Sequence, residues 1–134
     1  MQLLVFDIGS NSVRTLRVTQ DAQSQPHFSG KHVYTTRLAE GLAESGSLST
    51  ARMQQSLLVI RSLHGEYAPQ GFLSYAYATS AVRDAMNGRD FLRSVEEIIG
   101  KGHARILTGE EEAAFAQQGA NPEGGRIILD IGGG

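Results

Sequence analysis

The chain has 134 residues and a mass of 14.4 kDa, 40% hydrophobic and 19% charged, which fits about one domain of the usual roughly 100–200 residues and is large enough to bury a core without disulfide or metal staples. It contains no cysteine, which excludes thiol nucleophiles, thiolate zinc sites and disulfide frameworks and leads to the expectation of a reducing, cytoplasmic setting. The net charge is −2, from 12 Lys and Arg against 14 Asp and Glu, and supplies no whole-molecule field for nonspecific nucleic-acid binding.

Leu3-Leu4-Val5-Phe6 is a continuous apolar run before Asp7-Ile8-Gly9-Ser10-Asn11-Ser12, a pattern that predicts a buried strand entering a glycine turn. Residues 13–18 mix branched and polar side chains and predict a half-buried antiparallel strand; a third strand is expected within residues 28–37. From Ser49 the period changes. Met53, Leu57, Ile60, Leu63 and Tyr67 recur every three or four positions, one face of an amphipathic helix. Ser49 is placed to cap it, Leu48 to staple onto Met53, and Gly65 and Pro69 to mark its end. Residues 72–78 predict a strand, followed by a short turn or helix through Arg83. Asn87 is expected to cap a second long helix with Phe91, Val95 and Ile98 as its buried face, ending at Gly100-Lys101-Gly102. Residues 104–107 read as a short strand, and Thr108-Gly109-Glu110-Glu111 matches a capping box that opens a third helix. After a turn at residues 121–125, residues 126–131 are expected to form another apolar strand running into Gly132-Gly133-Gly134. No apolar run approaches the roughly 20 residues of a membrane span, and the N-terminus has no signal-peptide pattern. Strands first, then alternating helix and strand, imply an α/β fold whose mixed sheet is flanked by helices.

The pattern of strand, Asp and glycine turn occurs twice, at Asp7-Ile8-Gly9 and at Asp130-Ile131-Gly132. An Asp at the end of a buried strand puts a carboxylate at the sheet rim, and the glycine leaves backbone N–H groups free to approach an anion. Taken singly, each is an ordinary turn. As a facing pair, Asp7 and Asp130 would hold a divalent metal, Mg²⁺ through water, while the turns cradle phosphates. Neither turn is a P-loop, which needs Lys and Ser or Thr after its glycines, and neither is a dinucleotide fingerprint. Glu110-Glu111-Glu112 suits the first turn of a helix without any catalysis. Glu111 is the capping-box member, which leaves Glu110 and Glu112 to project elsewhere; Glu112 can point into a cleft, where a carboxylate can orient and deprotonate a water. Thr79, Ser80 and Arg83 follow a strand, where open α/β sheets bind ligands. Arg83 is either a phosphate clamp or the partner of Asp84 or Asp90 in a surface ion pair. His27, His32, His64 and His103 lack metal-ligand spacing, and no aromatic stripe interleaves with the basic residues to stack bases.

Read together, the blocks Asp7-Ile8-Gly9-Ser10-Asn11-Ser12-Val13-Arg14, Thr36-Arg37-Leu38-Ala39-Glu40-Gly41-Leu42, Ala78-Thr79-Ser80-Ala81-Val82-Arg83-Asp84-Ala85-Met86-Asn87, Gly109-Glu110-Glu111-Glu112-Ala113 and Asp130-Ile131-Gly132-Gly133-Gly134 resemble the exopolyphosphatase/guanosine pentaphosphate phosphohydrolase (Ppx/GppA) family. The resemblance covers nearly the whole chain in the family's order, and the Ala-Thr-Ser-Ala-Val-Arg and Gly-Glu-Glu-Glu-Ala blocks are its most specific parts. It implies a ribonuclease-H-like, actin-like ATPase fold in which two lobes close around a cleft, with this chain as the N-terminal lobe. It implies Mg²⁺ as cofactor, Asp7 and Asp130 as metal ligands, and Gly9, Ser10, Asn11 and Ser12 with Gly132, Gly133 and Gly134 as phosphate loops. Arg83, with Thr79 and Ser80 beside it, is implied as a phosphate contact and Glu112 as the catalytic base. Two departures stand out. The family's second loop continues into Ser-Thr-Glu, whereas this sequence stops at Gly134, so a piece of a longer protein, inactive by itself and lacking its C-terminal lobe, is expected. Ala39 stands where the family has glycine.

The function this implies for the parent protein is hydrolysis of a phosphoanhydride, with inorganic polyphosphate or guanosine pentaphosphate as substrate. Two further readings stay open on the residues: an actin-fold kinase or ATPase lobe, and a noncatalytic anion-binding or assembly module whose open sheet seeks a partner. A homodimer is carried as an option, and neither a membrane nor a specific nucleic acid is expected as partner.

Overall fold

Alternation of inward and outward side chains builds the first strand. In β1 (Gln2–Ile8), Leu4, Phe6 and Ile8 are buried while Val5 and Asp7 lie on the other face, the period-two pattern of a pleated strand. The computed structural model describes residues 1–23 and 25–120. β2 (Ser12–Thr19) returns antiparallel with Val13 opposite Ile8, and β3 (His27–Thr35) pairs antiparallel with β2. β3 ends before the expected limit at Arg37. The N–H groups of Thr36 and Arg37 both turn onto the Asn11 carbonyl, at 3.0 and 2.9 Å, and Arg37 takes a φ of 52°, so the chain leaves the sheet there.

The short α1 (Leu42–Ser45) precedes α2 (Thr50–Tyr67), whose first turn is capped by the Ser49 hydroxyl accepting from the Arg52 N–H at 3.3 Å. α2 passes through Gly65 and ends only when Pro69 enters a single 3₁₀ turn, residues Ala68–Gln70, because proline lacks the N–H that another helical turn requires. β4 (Leu73–Ala78) then lies parallel to β1, α3 (Ser80–Asp84) and α4 (Gly88–Ile99) follow, and β5 (Ala104–Ile106) lies parallel to β4 before α5 (Gly109–Ala120). Among the described residues the sheet has five strands in the order β3-β2-β1-β4-β5, the mixed sheet with a parallel part that the sequence predicts.

The core sits between one face of this sheet and helices α2 and α4. Phe6, Ile8, Ile60, Phe91 and Val95 are fully buried in it, each stabilising the fold by about 1.5–3 kcal/mol relative to exposure. On α4 the buried set is Phe91, Val95 and Ile99, with Ile98 only partly buried, a one-position correction to the expected face. Asn87 is also corrected. Its side chain does not cap α4; it accepts from the Leu48 N–H at 2.8 Å and donates to the Leu48 carbonyl at 2.9 Å, binding the start of α4 to the entry of α2. Among the described residues no helix is long and apolar enough to cross a membrane. The strand expected at residues 126–131, with Asp130, Gly132, Gly133 and Gly134, lies outside the described residues.

Candidate functional site

Three strand ends share one rim. β1, β4 and β5 are parallel neighbours, so the segments leaving their carboxyl ends, residues 9–12, 79–83 and 107–112, emerge along the same edge of the sheet, where open α/β sheets bind ligands. The sequence separates these segments by some seventy and thirty residues; the parallel crossovers bring them together.

The glycine turn is braced from both sides. The Gly9 N–H donates to the Ser12 carbonyl at 3.0 Å, so this donor closes the turn and is not free for an anion, against the expectation from sequence. A Cβ at Gly9 would meet that same oxygen at 3.3 Å, which is why the tight reversal suits glycine. Ser12 itself is buried at the start of β2. On the β3 side, Asn11 accepts from Thr36 and Arg37, and the Ser10 carbonyl accepts from the Ala39 N–H at 2.9 Å. On the β4 side, the Ser10 and Ser80 hydroxyls lie 3.2 Å apart. The buried Thr79 hydroxyl donates to the Ile8 carbonyl at 3.3 Å, tying the end of β4 to the end of β1.

Arg83 and Glu112 meet at this rim. The Arg83 Nη1 lies 3.3 Å from the Glu112 carboxylate and donates to the Leu107 carbonyl at 2.9 Å, while its Nε lies 3.6 Å from Asp84. The two side chains are 32% and 35% exposed, open enough for a ligand to reach both. Local sequence places Glu112: the Thr108 hydroxyl accepts from the Glu111 N–H at 3.1 Å and the Glu111 carboxylate accepts from the Thr108 N–H at 2.9 Å, the reciprocal capping box. Glu111 is thereby turned back, and one residue on, Glu112 faces Arg83. The Thr108 N–H, with Arg105 at 2.9 Å, holds the Glu111 carboxyl below its ordinary value. Asp90 pairs with Arg93 rather than with Arg83.

Asp7 occupies the sheet face away from α2 and α4. Its backbone register puts it between Arg14 of β2 and Tyr77 of β4, and its carboxylate is 3.9 Å from the Arg14 guanidinium. Next in that row, Arg105 of β5 stands beside Tyr77 and reaches Glu111, so the row runs from Asp7 toward the start of α5.

The sequence pattern described as the Ppx/GppA phosphatase family matches residues 18–134 of the chain. The chain belongs to that family. Exopolyphosphatase 1 of Mycobacterium tuberculosis and that of Mycobacterium bovis are each 36% identical to it over 144 residues, an alignment covering 100% of this chain and 40% of theirs. The chain thus spans well under half the length of these relatives. The crystal structure of the Aquifex aeolicus Ppx/GppA family member matches with a TM-score of 0.78 at 26% identity, over 90% of this chain and 39% of that one. A structure of an exopolyphosphatase from Cytophaga hutchinsonii matches with a TM-score of 0.75 at 19% identity, over 85% and 36%, and shows the shared actin-like fold alone.

In this Ppx/GppA chain the described residues contain no cluster of three or more His, Asp or Glu side chains able to hold a metal. They offer Mg²⁺ one carboxylate at the strand end, Asp7, and this fits an ion that commonly takes one or two protein carboxylates and fills its other positions with water and phosphate. The second expected ligand, Asp130, lies outside the described residues. Two residues next to the site escaped sequence reasoning. Gly88 is one: a Cβ there would stand 1.8 Å from the Val82 carbonyl oxygen, so α4 starts against the backbone of α3, the helix that carries Arg83. Arg37 is the other, and its left-handed backbone has no signal in a window of sequence.

Proposed function

We propose that the full-length protein is a phosphoanhydride hydrolase that releases the terminal phosphate of inorganic polyphosphate or of guanosine pentaphosphate. The observation that carries this reading is the Arg83–Glu112 pair at 3.3 Å, set on the same rim as the glycine turn in a chain of the Ppx/GppA family. The chemistry needs a carboxylate to orient and deprotonate water and donors to take up charge on the transferred phosphoryl. Glu112 supplies the first. Arg83 supplies the second, with Ser10, Ser80 and the backbone N–H groups of the turn other than that of Gly9, which is bonded to the Ser12 carbonyl.

In the resting arrangement the Arg83 Nη1 is shared between the Leu107 carbonyl and Glu112. A phosphate oxygen entering the rim competes for that donor, and the bidentate preference of guanidinium for phosphate favours the exchange. The exchange leaves Glu112 facing the phosphorus with its lone pairs available to a water. Bound at Asp7, and at Asp130 in the expected second turn, Mg²⁺ would supply charge neutralisation on the phosphate chain.

The test is Glu112→Gln in the full-length protein. Phosphate release from polyphosphate is expected to fall by about 10²–10⁴ in kcat with thermal stability retained. Unchanged release would overturn the assignment of the base, and phosphate transfer from ATP to an acceptor other than water would move the protein to the kinase reading.

A further inference from the structure

On the β3 side of the glycine turn, Arg37 adopts a φ of 52°, and among the described residues it is the one non-glycine residue with positive φ. Only glycine takes this conformation without strain, so an arginine here is held by its surroundings. The holding bonds are visible: Arg37 and Thr36 donate together to the Asn11 carbonyl, and Ala39 donates to Ser10. The segment is thus fastened to the two residues at the tip of the turn. It carries a second cost, because the Thr36 hydroxyl is buried with no hydrogen-bond partner among the described residues. Strained backbone and an unsatisfied buried group in one four-residue segment are features that cluster at ligand clamps.

The charge at this position is not spent on the fold. The Arg37 side chain is exposed, and among the described residues it has no carboxylate partner. Its neighbour Glu40 is engaged by Arg52. Arg83, by contrast, is bound to a carbonyl and two carboxylates. The strand order places β3 and β4 on opposite sides of the β1–β2 turn, three strand spacings or about 14 Å apart.

We propose that Arg37 is a second anion-binding cation of this site, contacting the phosphate chain on the β3 side of the glycine turn while Arg83 contacts it on the β4 side. The proposal rests on the hydrolase reading above. It assigns the strained segment a purpose: a glycine would relieve the strain but could not present a guanidinium beside Asn11.

That contrast gives the experiment. Arg37→Gly, Arg37→Gln and Arg37→Lys are made in the full-length protein, with Glu112→Gln alongside, and KM and kcat for inorganic polyphosphate are measured with the melting temperature. Loss of one charged contact to phosphate is expected to raise KM about tenfold or more in both the Gly and Gln variants, with a much smaller change in kcat. Arg37→Lys recovers most of the affinity. Arg37→Gly melts no lower than the parent, because it relieves the left-handed strain. An unchanged KM in Arg37→Gly overturns the proposal, as does a KM that follows melting temperature across the three variants. If Glu112→Gln loses activity while the Arg37 variants bind normally, the hydrolase reading stands and the role of Arg37 falls; if Glu112→Gln is fully active, it is the base assignment that fails.

Discussion

The two sides of the glycine turn hold their arginines in opposite ways. On the β4 side the backbone is relaxed and the side chain is committed: Arg83 sits in a regular helical turn and spends its guanidinium on Leu107, Asp84 and Glu112. On the β3 side the backbone is committed and the side chain is not: Arg37 is strained at φ 52° and has no ion pair among the described residues. The difference teaches where precision comes from at a rim built of loops. A side chain can be aimed by its own bonds, as in Arg83, or by fixing the backbone beneath it, as in Arg37. The first arrangement must exchange partners to meet a ligand, whereas the second is open from the start.

The largest expected stability effect breaks the β4 side. Gly88→Ala would put a Cβ 1.8 Å from the Val82 carbonyl oxygen, a clash with backbone that no rotamer change removes. α4 and α3 must separate, and since α3 carries Arg83, its reach to Leu107 and Glu112 is disturbed with it. A loss of about 3 kcal/mol or more is expected, read as a lower urea midpoint, together with a drop in phosphate release. A variant that unfolds at the parent midpoint would show that α3 is not wedged by α4.

How much of this arrangement is legible in the amino-acid sequence depends on the distance over which the cause acts. The strand that carries Asp7 next to its end at Ile8, the cap at Ser49 and the capping box of Thr108 and Glu111 are each contained within a few residues, and each forms as the pattern predicts. The placement of Glu112 follows from that box, so half of the Arg83–Glu112 pair is legible locally; that the two meet is set by parallel pairing of β4 with β5. Asn87 has the sequence of a cap but bonds Leu48, thirty-nine positions earlier. A local rule finds a local partner, and here a buried peptide group further away competes better for the amide. The close approach at Gly88 and the turn-over at Arg37 are likewise imposed by contacts from elsewhere in the fold.

Asn87→Ala sharpens the comparison with a smaller effect. It removes both bonds to the Leu48 backbone and leaves that part-buried N–H and carbonyl without their partner, at a cost of about 1–3 kcal/mol. Because Asn87 lies between α3 and α4 yet touches no rim group, stability is expected to fall while KM for polyphosphate stays near the parent value. A KM that shifts as far as in the Arg37 variants would mean that the β4 side depends on this joint as much as the β3 side depends on its strained segment.

The smallest effect concerns the start of α5 and appears only in acid. The Glu111 carboxyl is held below its ordinary value of 4.5, chiefly by the Thr108 N–H and then by Arg105. A carboxyl lowered in the folded state stabilises it above the unfolded value, and that contribution disappears as pH falls through the folded one. Glu111→Gln lacks the titration but keeps an acceptor for the Thr108 N–H. Its melting temperature is therefore expected to lie slightly below the parent at neutral pH and to converge with it as pH falls below the ordinary carboxyl value of 4.5. A gap that stays constant through that acid range would mean that the charge contributes nothing and that geometry alone holds the capping box. In that case Glu112 would be aimed toward Arg83 by backbone position, the manner in which the opposite side holds Arg37.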